Sequence, residues 1–194
     1  MSRNPALAAP PPLTPPERLA GRRIVLRRSS LVDAEDIFRN YATDETVTYF
    51  LPWHPHPDVN ATRLFLQKAN EDWRNGTDFA YSIIHNDSDQ VIGMISMRPH
   101  GHIVEMGYVL SRHFWGQGIM TEALTTLADW CLGQPEIWRV EAYCDVENKA
   151  SARVMVKAGM REEGVLARYL LNPGLDARPR NAYLYARTKD RIQA

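Results

Sequence analysis

The sequence predicts an α+β fold, a mixed and mostly antiparallel sheet flanked by helices, with residues 22–194 forming a single domain. Three observations predict it. Runs with strand character follow one another at 78–84, 90–97 and 102–110, parted only by Asp87-Ser88-Asp89 and Pro99-His100-Gly101, which is turn chemistry and reads as an antiparallel meander. The pattern then changes to an alternation of helical and extended segments through residue 188. The 194 residues, 44% of them apolar, suffice for one ordinary globular core.

Taken in order, residues 1–21 carry six prolines within the first sixteen positions and lack the apolar core of a signal peptide, so they read as a flexible extended tail. Residues 22–28 (RRIVLRR) form the opening strand, and Asp33 can cap a helix that carries Ile37, Phe38 and Tyr41 at helical spacing. Alternating prolines in Pro52-Trp53-His54-Pro55-His56-Pro57 forbid regular structure. Asp58 then caps a helix running through Leu64, Phe65 and Trp73 to a stop at Gly76. After the meander come a helix over 118–132, a strand over 139–145, a helix over 150–158 stopped by Gly159, and strand runs at 160–171 and 182–188. No internal repeat and no second domain are visible.

Composition narrows the function classes. Lys and Arg number 23 and Asp and Glu number 23, so no global basic field draws nucleic acid or an anionic membrane. No run approaches the roughly 20 apolar residues that span a bilayer. Cys131 and Cys144 lack the spacing of a disulfide framework or zinc site, which fits a reducing, cytoplasmic compartment. Among the six histidines His54 and His56 are spaced by two around a proline, with no carboxylate near them but Asp58, so no metal site is expected.

The most informative segment follows the third meander strand. Ser111 to Met120 reads SRHFWGQGIM and leads straight into a helix. A helix N-terminus offers unpaired N–H groups and about half a positive charge, so a pyrophosphate can sit there, and glycines let the backbone approach it closely. A lone Gly-x-Gly is equally a plain tight turn. Its surroundings decide: EMGYVLSRHFWGQGIMTEAL, with Trp115-Gly116-Gln117-Gly118 at its centre, resembles the acetyl-CoA-binding motif of the GNAT superfamily of acetyltransferases, closest to the ribosomal-protein-alanine N-acetyltransferase branch. The resemblance continues through Arg139-Val140-Glu141-Ala142, Asn148-Lys149-Ala150-Ser151, Lys157-Ala158-Gly159-Met160 and Asn181-Ala182-Tyr183-Leu184-Tyr185-Ala186.

The resemblance implies that two neighbouring strands splay apart and that acetyl-CoA, as cosubstrate, lies in the gap. The backbone of Val109 and Leu110 would pair with the pantetheine arm like an added strand. Trp115 and the amides of Gly116, Gln117, Gly118, Ile119 and Met120 would hold the pyrophosphate, and the Asn148 side chain would touch the pantetheine. His113 stands where the superfamily often has Gln or Arg, which implies a weaker contact there.

Acetyl transfer to an amine needs a base for the amine proton and a donor for the departing thiolate. Alternation in 102–110 puts Ile103, Glu105, Gly107 and Val109 on one face. A mid-strand Glu105 is either a solvated carboxylate on an open face or, as the Glu-x-Gly-Tyr resemblance favours, the base facing the thioester. On the helix after Asn148, many relatives carry a tyrosine that protonates the thiolate; Met155 stands there and cannot. Ser151 is then either the general acid or a purely structural first-turn serine. Tyr169 stands where some branch members have an assisting carboxylate, and at its ordinary pKa of about 10 it cannot be a base. The resemblance implies that Trp53 and His54 line the acceptor pocket, because their loop lies before the helix that borders the substrate side in the resembling fold; ordinary loop packing is the alternative. Arg153 and Lys157 are either a solvated face or neighbours of the CoA phosphates.

The expected function is transfer of an acetyl group by direct attack of a primary amine, at a protein or peptide N-terminus or on a small molecule. The alternative is an acyl-CoA-binding module with little activity, motivated by Met155 and Tyr169. A dinucleotide oxidoreductase fails because the turn follows an antiparallel meander and lacks the third spaced glycine. A homodimer is expected by analogy.

Overall fold

A computed structural model describes residues 13–176 and 178–189. Eight strands form one sheet in the order β1-β2-β3-β4-β5-β6-β8-β7. All neighbours are antiparallel except β5 (Ile103–Leu110) and β6 (Arg139–Asp145), which run parallel. The meander expected from the sequence is β3 (Phe79–His85), β4 (Val91–His100) and β5, paired in sequence order. β7 (Arg161–Leu170) is the far edge strand, outside β8 (Arg180–Thr188).

Helices cover both faces, so the core is two buried clusters on opposite sides of the sheet. One face packs α4 (Ile119–Gly133) through Ala123, Leu124, Leu127 and Cys131, with Ala152 and Met155 of α5 (Lys149–Lys157), against Leu26, Ile83, Val104 and Val140. The other packs α1 (Ala34–Ile37), the turns that follow it and α3 (Val59–Asn75) through Ile37, Tyr41 and Leu66 against Ala80, Val91 and Met94. Because strand side chains alternate in direction, Phe79 and Tyr81 serve the first cluster while Ala80 serves the second. The Asp58 side chain accepts from the Ala61 amide at 3.0 Å to cap α3, and Gly76, at φ 71°, ends it in the left-handed conformation that glycine tolerates.

Several expectations are corrected. The tail was drawn to residue 21, but Arg18–Ala20 form β1, paired with β2 (Ile24–Arg28) at Arg18↔Arg27 and Ala20↔Val25; residues 1–12 of the expected tail lie outside the described residues. Asp33 precedes α1 without capping it through its side chain, because its buried carboxylate accepts from Arg27 at 2.5 Å, the Ser30 amide at 2.9 Å and the Ser82 hydroxyl at 2.8 Å. β4 runs on through Pro99 and His100, which confines the turn to Gly101 and His102. A short helix, α2 (Glu45–Thr48), was not foreseen; the Asp44 side chain caps it from the Thr46 and Val47 amides.

Candidate functional site

The parallel pair β5–β6 is joined only over Ile103–Met106 and Arg139–Ala142. Beyond Met106 the two strands have no ladder between them, which leaves the far edge of Gly107–Leu110 unpaired on the β6 side. The splay expected from the resemblance is present. It opens into a cleft of about 1120 Å³ walled by β4, β5, β6, α4 and α5 and by the segments around α2 and α3.

At one end of the cleft lies the glycine turn. Gly116 and Gly118 have φ of 75° and 77°, and Gly118 is the N-cap of the 15-residue α4. With no side chain to cap it, the helix start keeps its N–H groups free, an arrangement suited to phosphate oxygens. Trp115, Gly116, Gly118, Ile119 and Met120 line the cleft, whereas Gln117 does not: its side chain donates to the His113 carbonyl at 2.8 Å, so only its backbone can serve. Trp115 uses its indole N–H on the Leu110 carbonyl at 2.8 Å, so of the two strand residues expected from the sequence the Leu110 amide remains on the open edge, whereas Val109 is turned toward Met94 on β4. Arg153 and Lys157 on α5 also line the cleft and are exposed, so they add positive charge there.

Arg23, at the head of β2, buttresses this turn from outside the cleft. Its guanidinium donates to the Gln117 carbonyl at 2.8 Å and to Glu122 Oε2 at 2.8 Å, and its backbone N–H donates to Glu122 Oε1 at 2.7 Å. Burial pushes the Glu122 carboxyl up, but these Arg23 contacts outweigh it and hold the group below its usual range. The negative charge of Glu122, one turn from the free amides that begin α4, is thereby offset.

In the middle of the cleft Asn148 accepts from the Ser151 amide at 3.1 Å, capping α5 and keeping its own NH₂ group uncommitted. The Ser151 hydroxyl lies 2.7 Å from the Tyr108 hydroxyl. Burial pushes Tyr108 well above an ordinary tyrosine, so it stays protonated and can donate to Ser151 Oγ. Cys144 lies beside them; burial raises its thiol to about 11, with a Ser151 hydrogen bond opposing, and it is not a thiolate at neutral pH. Met155 is fully buried in the core.

The other end of the cleft is built on the opposite face of β5. Glu105 stands directly across from Arg98 on β4 and beside Glu141 on β6. Its Oε1 accepts from Arg98 Nη1, while among the described residues the basic group beside Oε2 is His100 Nε2, at 4.0 Å. Arg98 Nε donates to Asp78 Oδ2 at 2.9 Å. Tyr143 donates to Glu141 at 2.7 Å and packs on Tyr169 with ring centroids 4.9 Å apart. Trp53 lines the cleft as expected. His54 is exposed and does not, whereas His56, two residues on, takes the inward place. The His56 ring packs 5.1 Å from Trp53, its Nδ1 is 2.8 Å from the hydroxyl of the fully buried Thr62, and burial lowers its pKa, so it is neutral at neutral pH.

Arg23, Arg98, Tyr108 and His56 were thus not singled out from the sequence. Tyr108 carried a signal, since it sits in the Glu-x-Gly-Tyr run; the arginines carried none, because their partners lie 94 and 99 residues away for Arg23 and 20 residues away for Asp78. Among the described residues, no group of three or more His, Cys, Asp or Glu is placed to hold a metal ion, and no helix is long and apolar enough to cross a membrane.

Comparison with known proteins bears on this geometry. Residues 23–161 match the family described as Acetyltransferase (GNAT) domain. An uncharacterized N-acetyltransferase, p20, of Bacillus licheniformis is 32% identical over 157 residues, covering 79% of this chain and 87% of the relative. The [ribosomal protein uS5]-alanine N-acetyltransferase of Escherichia coli is 28% identical over 169 residues, covering 82% and 86%. The solved structure of Mycobacterium smegmatis RimJ in complex with CoA-disulfide superposes with a TM-score of 0.81 at 24% identity, covering 92% of this chain and 90% of that one.

Proposed function

The chain belongs to the GNAT acetyltransferase family, and from that premise we propose that it moves the acetyl group of acetyl-CoA to the α-amine of a protein N-terminus by direct attack. The observation that carries this reading is the single cleft that joins the splayed β5–β6 gap and the glycine turn at one end to an ion-paired carboxylate at the other. The cofactor relation of the RimJ neighbour supports CoA in that gap, and the uS5-alanine relative supports a peptide acceptor.

The residues divide the work. The free amides from Gly116 to Met120 bind the pyrophosphate, the Leu110 amide and Asn148 bind the pantetheine, and Trp53 and His56 border the acceptor. Glu105 takes the amine proton, directly or through one water. The neutral amine then attacks the thioester carbonyl, the C–N bond forms and the C–S bond breaks, and the Ser151 hydroxyl, held by a hydrogen bond from Tyr108, protonates the thiolate while the proton shed by the attacking nitrogen restores it. No acyl-enzyme forms, in keeping with Cys144 remaining a thiol.

The test is thiol release from acetyl-CoA with decapeptides beginning in alanine or serine beside a panel of small amines. Turnover confined to peptides supports the reading. Turnover confined to small amines overturns the acceptor, and tight acetyl-CoA binding without turnover on any amine overturns catalysis.

A further inference from the structure

We propose that Arg98 is a positioning residue of the acceptor end, anchored from behind by Asp78, which holds Glu105 Oε1 so that Oε2 alone faces the incoming amine. This deepens the reading of Glu105 as the base and rests on it.

The strand register creates the arrangement. Arg98 lies across from Glu105 on β5, and Phe79↔Met97 pairing places Asp78 opposite it on the other side. One guanidinium is therefore flanked by a carboxylate on each neighbouring strand, donating through Nε to Asp78 and through Nη1 to Glu105. The third nitrogen, Nη2, passes over Gly107, where a Cβ would stand 2.8 Å from it, and comes within 3.5 Å of Ser96 Oγ. Any side chain at Gly107 would take the space the guanidinium occupies. Gly107 does not have a positive φ, so open floor for Arg98, and not backbone conformation, is what its missing side chain supplies.

Two consequences follow for chemistry. With Oε1 committed to Arg98, the proton from the acceptor ammonium goes to Oε2: the N–H bond breaks, the Oε2–H bond forms, and the amine lone pair is released for attack. With two carboxylates against one guanidinium, the array also carries surplus negative charge, which suits an acceptor that arrives as a cation. Asp78 completes the anchor. Its Oδ1 is buried without a partner and burial pushes its carboxyl up against the opposing effect of Arg98, a cost the fold bears to keep a carboxylate behind the guanidinium. Burial also opposes the charge of Arg98, but Asp78 and Glu105 together hold it more firmly protonated than a free guanidinium.

The experiment compares R98Q, R98K, G107A and E105Q by steady-state kinetics with an alanine-initiated decapeptide, and records ¹⁵N spectra of arginine side chains in wild type and D78N. R98Q should lose at least tenfold in kcat with the KM for acetyl-CoA within twofold, and R98K should recover part of the loss. G107A should reproduce the loss with the guanidinium still present but displaced; because the clashing atom is the end of a flexible side chain, its fold should survive. Wild-type turnover in R98Q or G107A, or an acetyl-CoA KM that rises in step with the fall in kcat, overturns the proposal. E105Q separates the two readings. If it is active, the base assignment fails; if it is inactive while R98Q is active, only the role of Arg98 fails. Independently of any acceptor, the Arg98 Nε–H should exchange slowly in wild type and quickly in D78N, and fast exchange in wild type overturns the anchor.

Discussion

The two ends of the cleft are made of different material. At the proposed cofactor end the groups on offer are backbone amides, exposed because two glycines adopt positive φ and a strand pair stops pairing after Met106 and Ala142. At the proposed acceptor end they are side chains gathered from β3, β4, β5, β6 and the proline loop. A backbone site depends on local conformation, so it tolerates variation in most side chains around it. A side-chain site depends on register across the sheet, and its chemistry changes whenever one of its members is replaced. The same scaffold can therefore keep one donor while its acceptor drifts.

That contrast predicts which kinetic constant each substitution moves. The largest effect belongs to Glu105→Gln, which keeps shape and loses the base. With a competent peptide, kcat should fall by about 10² to 10⁴, the usual worth of a positioned general base, while acetyl-CoA binding measured by calorimetry stays within twofold. If acetyl-CoA affinity collapses with it, the two ends are not separable in this way.

Gly118→Ala is the counterpart at the cofactor end. A left-handed φ of 77° costs a residue with a Cβ about 1–2 kcal/mol, and that Cβ would also meet Arg23 Nη2 at 3.5 Å. Acetyl-CoA affinity should weaken by roughly tenfold, with the peptide KM little changed. A rise in peptide KM without a change in acetyl-CoA affinity would reverse the assignment of the two ends.

How much of this was legible in the sequence follows the same division. The meander, α4, β6 and α5 could be placed within a few residues because periodicity, caps and turn residues are local signals. The glycine turn was legible for the same reason, as were Glu105 and Ser151 as candidates. The Asp78–Arg98–Glu105 array was not, because an arginine in a strand looks solvated until the register that sets it between two carboxylates is known. β1 was hidden by the prolines before it, since Arg18-Leu19-Ala20 becomes a strand only through pairing with β2. That His56 lines the cleft and His54 does not could not be read from the sequence, because in a proline-rich loop no periodicity tells which side chain faces inward.

The histidines give a smaller and sharper test. His56→Ala should raise the peptide KM by roughly fivefold, the scale of one lost hydrogen bond with its packing, while His54→Ala leaves it within twofold. Equal effects at both positions would mean that the loop matters only as a whole. On the stability side, Glu122 and Asp145 are both held below the usual carboxyl range, Asp145 against its own burial by Arg180, the Glu147 amide and Asn172. A depressed folded value adds stability that is complete above the unfolded value of about 4 and is lost as pH falls through the folded one. Melting temperature should therefore drop below about pH 4, and Arg23→Gln should make that drop shallower by removing the contribution of Glu122.

The smallest expected effect is at Cys144, and it bears on mechanism more than on rate. The thiol lines the cleft beside Ser151, where a nucleophile could intercept the acetyl group and turn direct transfer into a two-step reaction through a thioester on the enzyme. Burial places its pKa at about 11, so at pH 7 roughly one thiol in ten thousand is ionised. Direct attack then demands that Cys144→Ala keep kcat within twofold and that mass spectrometry of the enzyme mixed with acetyl-CoA alone show no added acetyl group. An acetylated enzyme that passes its label to the peptide would replace direct attack with an acyl-enzyme route and shift the chemical centre of the cleft from the Glu105 end toward α5.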